Sequence, residues 1–347
     1  MNPRRLIATV LLAGAILAVG CGSEASEPTA ELPGGGVEVA MARATWDTGQ
    51  FQAAVYANLL TRLGYDVADP VVLAPDEFYA AAAKGEIDFW ANGWFPGDQV
   101  RLDEEVAGVG RVGDHVAPVG FEVAGGALQG ILVDTHTAAE LRISSLGDIA
   151  ADADLVTAFD ADADGLADVL GCPADWPCAS AVDELLTEAG QGVLQQVTGD
   201  YDEHVDIALG RIARGEPVLL YAWTPASTTE IIQLGPQARW LDASPAGSDE
   251  AFFELADVCT SPSCSLGFPA NDIRVVANVE FLEENPAAAA LFEVVEIPLD
   301  DIQAQNLAMA RGADQPADIE RQAEDWLGSR RALVLDWLRT ARDAAEG

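Results

Sequence analysis

From Val37 to the C-terminus, segments with the pattern of β-strands alternate with segments that have the pattern of α-helices. The predicted strands cover residues 37–43, 66–73, 87–91, 130–133, 218–222 and 274–277. The predicted helices cover residues 50–63, 75–83, 182–189, 202–213, 286–294 and most of 302–345. This alternation is the strongest constraint on the fold. It predicts an α/β fold in which helices flank a mostly parallel sheet, and 347 residues suffice for two such lobes with a cleft between them.

The chain is strongly acidic, with 57 acidic and 18 basic residues and a formal net charge of −39. Lys84 is the only lysine, whereas binding to nucleic acid requires clustered lysine and arginine side chains. The composition therefore argues against nucleic acid as a partner and against broad adhesion to anionic lipid. Simple solvation and adaptation to a salty habitat both explain the acidity, and a high-GC genome would also explain the preference for arginine over lysine.

The first residues have the features of an export signal. Two arginines, at positions 4 and 5, precede a nearly continuous apolar run over residues 6–19, which is too short to span a bilayer. The run ends in AVGC at residues 18–21, where small residues before a cysteine resemble a bacterial lipobox. Residues 1–21 are therefore predicted to be a lipoprotein signal in which Cys21 becomes the lipidated N-terminus. The alternative is an ordinary secretory signal with an accidental cysteine.

The next segment, residues 22–36, is rich in Ser, Glu, Pro and Gly, a composition typical of flexible linkers. This composition disfavours an ordinary secretory signal with an accidental cysteine, because a protein anchored by a lipid at Cys21 needs such a flexible tether. The chain is therefore expected outside the cytoplasm, at the cell surface or in the periplasm, with the lipid anchor as its only membrane contact.

Four further cysteines form two close pairs, Cys172 with Cys178 and Cys259 with Cys264. Outside the cell, an even number of cysteines at short spacing favours two disulfides. A zinc site is the alternative. It would require all four thiolates to converge, and the three histidines lie far from them in the sequence.

Three tryptophans occupy strand ends or tight turns. Trp94 lies in FWANGWFPGDQ, Trp176 lies inside the cysteine loop GCPADWPC, and Trp223 directly follows a buried strand in LLYAWTPAS. Ligands of parallel α/β sheets bind beyond the carboxyl ends of the strands. Core packing explains any one of these side chains, but three in the same setting favour a binding site. Trp46 also lies on the cleft side by topology and is a weaker candidate.

Longer stretches of the chain resemble a known family. They are FDADADGLADVLGCPADWPC, GEPVLLYAWTP, GFPANDIRVVAN and ENPAAAALFEVVEIPLDDIQAQN. Together with the surrounding sequence, from about Gly36 to the C-terminal helices, they are similar to the glycine betaine/proline betaine-binding proteins of ABC importers in enteric bacteria. Four stretches of this length are far more specific than any short motif.

The resemblance implies the two-lobed type II periplasmic-binding-protein fold, with the ligand cleft between the lobes. Lobe 1 is expected to contain residues 37–133 and 242–297, and lobe 2 residues 134–241 and 298–347. The resemblance also implies a monomer without enzymatic activity or an organic cofactor. Such a monomer closes on its ligand and docks on a membrane permease that works with a cytoplasmic ATPase.

In this family, tryptophans at the matching positions surround a trimethylammonium group, and the resemblance assigns Trp94, Trp176 and Trp223 to this box. The physical chemistry agrees with the assignment. A trimethylammonium group has no N–H to donate, and the negative faces of indole rings attract it by roughly 0.5–2 kcal/mol per well-placed ring. The implied ligand is glycine betaine, proline betaine or a related osmolyte.

The match departs from the family at the other end of the pocket. There the family receives the ligand carboxylate with a histidine soon after the first box tryptophan and with backbone N–H groups just after the second. Asp98 stands at the histidine position here, and Pro177 has no N–H, which leaves the N–H of Cys178. One interpretation is a larger betaine, or choline, which lacks the carboxylate. The other is that Arg101 or another donor receives the carboxylate of glycine betaine.

Residues 160–168 have the alternating acids and central glycine of a calcium loop. The candidate ligands are Asp160, Asp162, Asp164 and Asp168. The twelfth position of the loop is Gly171 rather than the usual bidentate glutamate. Two interpretations stay open. One is a structural calcium that holds Trp176 at the cleft together with the neighbouring disulfide, and the other is an Asx-rich turn without metal.

A function from another class is a secreted calcium-dependent hydrolase that uses paired carboxylates, with Asp98, Asp164 and Asp175 as candidate acids. This alternative explains neither the tryptophans nor the tether. The sequence also has no histidine near a serine or cysteine in an arrangement that would suggest a nucleophile.

Overall fold

The computed structural model describes residues 32–46, 48–243 and 253–347. The predicted export signal, Cys21 and most of the predicted tether lie outside the described residues. Within these ranges, no helix combines the length and the apolar character needed to cross a membrane.

The strands in these ranges are β1 (Glu38–Val39), β2 (Met41–Arg43), β3 (Asp66–Val67), β4 (Val71–Val72), β5 (Phe89–Phe95), β6 (Glu105–Val106), β7 (Gly110–Arg111), β8 (Val116–Asp134), β9 (Ala167–Leu170), β10 (Leu194–Val197), β11 (Leu219–Thr224), β12 (Ala238–Trp240) and β13 (Asn271–Asn278).

The α-helices in these ranges are α1 (Gln50–Arg62), α2 (Pro75–Ala83), α3 (Gln99–Leu102), α4 (Thr135–Glu140), α5 (Leu146–Ala151), α6 (Ala153–Phe159), α7 (Cys178–Ala189), α8 (Tyr201–Arg214), α9 (Thr228–Ile231), α10 (Val279–Glu284), α11 (Pro286–Val294), α12 (Leu299–Ala310), α13 (Pro316–Ser329) and α14 (Arg331–Glu346).

Most of the strands form one sheet with the order β10-β9-β11-β8-β13-β5-β2-β4, and β12 also pairs with β8. The long strand β8 belongs to both halves of this sheet, because its first part pairs with β13 and its last part with β11 and β12. Among the described strands, β13 is antiparallel to its neighbours β5 and β8 in one half. In the other half, β8 is antiparallel to its neighbours β11 and β12. Each half is therefore a mostly parallel sheet, and the predicted fold class is confirmed.

Each half of the sheet has its own hydrophobic core. One core gathers buried side chains from Leu128 to Phe268. The other half carries two clusters. Both take their buried side chains from two parts of the chain, Val39 to Ala127 and Ile273 to Ala341. We call residues 32–46, 48–127 and 271–347 lobe 1 and residues 128–243 and 253–270 lobe 2.

These boundaries differ from the predicted ones in the last third of the chain. Residues 242–297 are predicted in lobe 1, whereas Leu266 and Phe268 lie in the core of lobe 2. Residues 298–347 are predicted in lobe 2, whereas α13 packs on α1 and α14 packs on α11, both in lobe 1. The ring of Trp326 lies 5.8 Å from that of Phe51 on α1. Helical periodicity identifies the apolar face of a helix but not the surface that covers it, so the sequence pattern did not settle this assignment.

Two strands extend further than their sequence patterns indicate. A turn is predicted after residue 91, but antiparallel pairing with β13 continues to Phe95 and keeps the chain extended. In the same way, pairing with β8 carries β11 as far as Thr224. Trp94 and Trp223 therefore lie on the last residues of strands rather than in loops.

A buried carboxyl lies in lobe 1. Glu122, on β8, is 2% exposed, and within the described structure neither carboxyl oxygen has a well-formed hydrogen bond. Burial raises the pKa of Glu122 well above its ordinary value, and the facing side chains of Gln52 and Tyr56 offset this rise only in part. The neutral acid is therefore the form that this core accommodates.

Replacement of Glu122 by glutamine should stabilise the protein at neutral pH. The wild-type folded state keeps a proton that the unfolded chain has released, so stability falls as the pH rises from the unfolded pKa towards the folded one. Glu122→Gln removes this dependence. Thermal unfolding at pH 7 should show a Tm higher by about 2 °C or more, and the gain should shrink towards pH 5. A less stable variant at pH 7 would contradict this account.

Candidate functional site

A cavity of about 780 Å³ lies between the two lobes and is lined by side chains of both. Trp94 from lobe 1 and Trp176 and Trp223 from lobe 2 border it, so the structure brings the three predicted box residues around one space. Asp98 and Cys178, the other two predicted ligand contacts, line the same cavity.

The lobes present these tryptophans at or beyond the carboxyl ends of strands, where ligands of parallel sheets bind. Trp94 is the sixth residue of β5, Trp223 is the fifth residue of β11, and Trp176 follows the end of β9 by six residues. Trp223 is 5% exposed, whereas Trp94 and Trp176 are half-buried. Strand pairing thus fixes the backbone of two of the three rings.

Trp223 contacts three other aromatic rings of the site, and it meets Trp176 at a steep angle. The centroids of Trp176 and Trp223 lie 5.7 Å apart with an interplanar angle of 73°. The ring of Tyr201 lies 4.6 Å from that of Trp223, and the ring of Tyr221 lies 6.0 Å from it. Edge-to-face contact is favourable for aromatic pairs, and two rings at such an angle form the corner of a box.

A fourth tryptophan lies at the same cavity. Trp46 borders it, and its ring lies 5.7 Å from that of Trp176 at an interplanar angle of 64°. By its sequence position, Trp46 is predicted on the cleft side as a weaker candidate for the binding site. The signal that points to it is its position three residues after the end of β2, beside the other strand ends.

Asn92 is a site residue that the sequence analysis misses. It lies in the middle of β5 and is 2% exposed. Its side-chain oxygen accepts hydrogen bonds from Trp46 Nε1 at 3.0 Å and from Trp94 Nε1 at 3.2 Å. One acceptor therefore holds two indoles. The signal in the sequence is an asparagine inside an otherwise apolar strand, where this residue is uncommon.

A hydrogen-bonded pair of tyrosines supports Trp223. The Tyr201 hydroxyl donates to the backbone oxygen of Tyr221 at 3.0 Å, and the Tyr221 hydroxyl donates to Gln129 Oε1 at 2.7 Å. Burial raises the pKa of Tyr221 well above its ordinary value, and Tyr201 adds to the rise. The phenol therefore stays neutral and keeps its proton for Gln129, which also lines the cavity.

The charge of Asp98 is compensated within the protein. One carboxyl oxygen accepts the backbone N–H of Trp94 at 2.8 Å, and the other lies 3.6 Å from Arg101 Nε. Burial raises the pKa of Asp98, while Arg101 and the Trp94 N–H oppose the rise. Arg101 also pairs with Asp76 at 3.1 Å and lines the cavity. The adjacent guanidinium, which Asp98 shares with Asp76, thus offsets part of the expected repulsion between an ionised Asp98 and a ligand carboxylate.

The second expected contact for a carboxylate lies where α7 begins. Pro177 precedes the first helical residue, Cys178, and both line the cavity. The N–H of Ala179 is bonded to the Trp176 carbonyl oxygen at 3.1 Å, which leaves Cys178 to present the first N–H of this helix. The first N–H groups of a helix carry partial positive charge.

The charged side chains that line the cavity are mostly acidic. The acids are Asp76, Asp98, Glu104, Asp175 and Glu184. Among the described lining residues, Arg101 is the one base. The cleft therefore attracts cations, and an anionic group finds a single positive side chain in it.

Both predicted disulfides are confirmed. Cys172–Cys178 and Cys259–Cys264 each join α-carbons that lie 6.0 Å apart. The first bridge encloses Trp176 in its loop and ties the segment after β9 to the start of α7. Because the four sulfurs are paired, the zinc alternative is wrong.

The acidic loop leads into β9, and its last residue, Asp168, is the second residue of that strand. Carboxyl oxygens of Asp160, Asp162 and Asp168 lie within 4.8 Å of one another. Asp164 accepts the Gln195 side-chain amide and the Leu166 N–H, each at 2.9 Å. Clustered carboxylate oxygens suit a hard cation such as Ca²⁺. Asp160 also accepts the N–H groups of its own loop, so the arrangement fits a calcium site and an Asx-rich turn alike.

Comparison with known proteins gives the same family as the resemblance. The glycine betaine-binding periplasmic protein OusX of Dickeya dadantii is 33% identical over 319 residues, which cover 91% of this chain and 93% of that protein. The glycine betaine/proline betaine-binding periplasmic protein of Salmonella typhimurium is 30% identical over 318 residues, which cover 91% and 94%.

A solved structure shows the same fold. Lactococcal OpuAC, crystallised in its closed form with glycine betaine, superposes with a TM-score of 0.64 at 16% identity over 87% of this chain and 99% of that one. Residues 37–329 match the family model described as the substrate-binding domain of ABC-type glycine betaine transport systems. This chain belongs to that family of substrate-binding proteins.

Proposed function

We propose that this chain captures a quaternary-ammonium osmolyte outside the cytoplasm and delivers it to an ABC importer. The observation that supports the proposal is the meeting of Trp94, Trp176 and Trp223, from two lobes, at one cavity. The relatives are named for glycine betaine and proline betaine, and indole faces suit the quaternary ammonium group of these compounds. The secreted hydrolase has no support from the family and is not carried further.

The ligand of this proposal is a betaine whose carboxylate binds to Arg101. Arg101 is 8% exposed at the cavity wall, and Asp98 and Asp76 flank its guanidinium. A guanidinium has five N–H donors, which exceeds the number that these two contacts use. The N–H of Cys178 is a second donor at the same cavity. The alternative ligand is choline or a larger betaine. The acidic side chains that line the cavity favour choline, which is a cation without a carboxylate.

The proposed place of the protein follows its relatives, which are periplasmic. Two disulfides support a location outside the cytoplasm. The lipobox supports a membrane anchor at Cys21. We expect a monomer that closes its lobes on the ligand and docks on a membrane permease coupled to a cytoplasmic ATPase, with no enzymatic step of its own.

The acidic loop is proposed to hold a structural calcium ion. Burial raises the pKa of Asp162, and the nearby Asp160, Asp164 and Asp168 add to this rise. A bound cation would relieve the repulsion among these acids. It would also stabilise the segment that leads through β9 to Trp176.

Truncation of a box tryptophan should weaken binding, because it removes a ring face from the cation. Trp94→Ala, Trp176→Ala and Trp223→Ala should each raise the Kd for glycine betaine about tenfold or more, equivalent to about 1.4 kcal/mol. Isothermal titration calorimetry measures this. Trp240→Phe alters a buried tryptophan of lobe 2 outside the cavity and should bind like wild type. Unchanged affinity in all three alanine variants would remove the box from the account.

Arg101→Gln should affect the carboxylate end alone. The affinity for glycine betaine should fall about tenfold or more, while that for choline should fall less than about threefold, because choline has no carboxylate. Calorimetry with glycine betaine, proline betaine and choline tests this in wild type and variant. Tightest wild-type binding to choline, or equal losses for choline and glycine betaine in the variant, would argue against this role of Arg101.

Calcium should stabilise the mature protein. Millimolar Ca²⁺ should raise the Tm by about 2 °C or more over a chelator, since a ligand bound to the folded state alone stabilises it. The double variant Asp160→Asn/Asp162→Asn should lose this gain. Glu324→Gln/Asp325→Asn removes the same charge from an exposed stretch of α13 and should keep it. The same Tm with calcium and with chelator in wild type would rule the ion out.

A further inference from the structure

We infer that Trp46 is a fourth wall of the cation site and that the buried Asn92 sets the orientation of this wall together with that of Trp94. The inference rests on the proposed function and adds a residue that the family resemblance does not assign. It makes Trp46 a binding residue and Asn92 a positioning residue.

The ring of Trp176 contacts the rings of both Trp46 and Trp223, so the three indoles form a continuous aromatic surface. Trp46 meets Trp176 at 64° and Trp176 meets Trp223 at 73°, with 5.7 Å between centroids in both pairs. Two successive steep contacts give three sides of a box. The remaining side, Trp94, is joined to Trp46 through the shared acceptor on Asn92. Trp46 therefore occupies the position that links the lobe 1 wall to the lobe 2 walls.

The surroundings of Trp46 are those of a wall rather than of a core side chain. It borders the site cavity and also an adjoining cavity of about 780 Å³. Trp176 and Trp223 border both cavities as well. Trp90, by contrast, is 1% exposed and stacks on Phe78. The ring centroids of Trp46 and Trp90 lie 5.9 Å apart. Trp46 therefore packs on the lobe 1 core and also borders the cavity.

Asn92 limits the rotation of two indoles at once. Its side-chain oxygen has two lone pairs, and the two indole N–H groups occupy them. Asn92 is buried, so an arrangement that left its side-chain oxygen without a hydrogen-bond partner would be unfavourable, which favours keeping the indoles bonded to this acceptor. The ring planes of Trp46 and Trp94 are thus set before any ligand arrives.

Two residues shortly after Trp46, Thr48 and Gly49, contact Asn92 or lobe 2. Gly49 has a φ of 109°, and a β-carbon at that position would lie 3.2 Å from the side chain of Asn92, so only glycine permits this approach. The buried Thr48 donates to the backbone oxygen of Pro225 in lobe 2 and accepts from Asn306 Nδ2 at 3.2 Å. Trp223 Nε1 also lies 3.4 Å from Thr48 Oγ1. Thr48, two residues after Trp46, therefore contacts lobe 2 directly.

The test compares paired variants by calorimetry with glycine betaine and with choline. Trp46→Ala should raise the Kd for both ligands by about tenfold, and by the same factor, because both carry the trimethylammonium group that the ring faces. Trp46→Phe keeps a ring and should lose less than about threefold. Trp337→Phe, in the lobe 1 core away from the cavity, should bind like wild type.

The positioning role of Asn92 is tested in the same series. Asn92→Leu removes the acceptor and should weaken both ligands about threefold or more, with an altered near-UV circular dichroism spectrum in the free protein. Asn92→Asp keeps the acceptor and should lose clearly less affinity for both ligands than Asn92→Leu does. A residue with only a packing role would not distinguish these two variants.

Wild-type affinity in Trp46→Ala, with binding lost in Trp94→Ala, would overturn the inference and leave the proposed function intact. If Trp46→Ala does not fold, equal affinities in Asn92→Leu and Asn92→Asp would overturn it instead. If the wild-type protein binds neither glycine betaine nor choline, the proposed function fails and the inference fails with it.

Discussion

A quaternary ammonium group offers no N–H and carries its charge behind methyl groups, so a protein binds it tightly by surrounding it with aromatic faces. This requirement explains the use of two lobes. Trp94 comes from a strand end of lobe 1, and Trp176 and Trp223 come from strand ends of lobe 2. A single sheet edge can place aromatic rings on only one side of the ligand. Two sheet edges that face each other across a cleft present them from both sides, and we propose that lobe closure completes the enclosure.

The polar groups behind the rings follow from the same requirement, because attraction to a ring face depends on how the ring is oriented. Asn92 holds two indole N–H groups, and the tyrosine pair supports Trp223. At the other end of the cavity, Asp98 holds Arg101 and the turn after Trp94. Asp98, which stands at the family's histidine position, is therefore paired with a guanidinium, and the proposed carboxylate site depends on that guanidinium.

The fold class and the bounds of several helices were predictable from the sequence, because they depend on local patterns. The proline at the first turn of α2 and of α11 marks where each begins. The extension of β5 to Phe95 and the packing of α13 on lobe 1 depend on partners distant in sequence, which periodicity does not identify. In the site, strand-end position pointed to the tryptophans. Asn92 was missed because its role exists only where the segment after β2 approaches β5.

The central claim is that the cavity recognises positive charge through ring faces, and not merely the bulk of three methyl groups. Calorimetry with glycine betaine and with 3,3-dimethylbutyrate, which has a carbon atom in place of the quaternary nitrogen, tests this most directly. Both ligands have the same shape and the same carboxylate. The account predicts that the mature protein binds glycine betaine about a hundredfold more tightly, equivalent to roughly 3 kcal/mol. Similar affinities for the two compounds would contradict it.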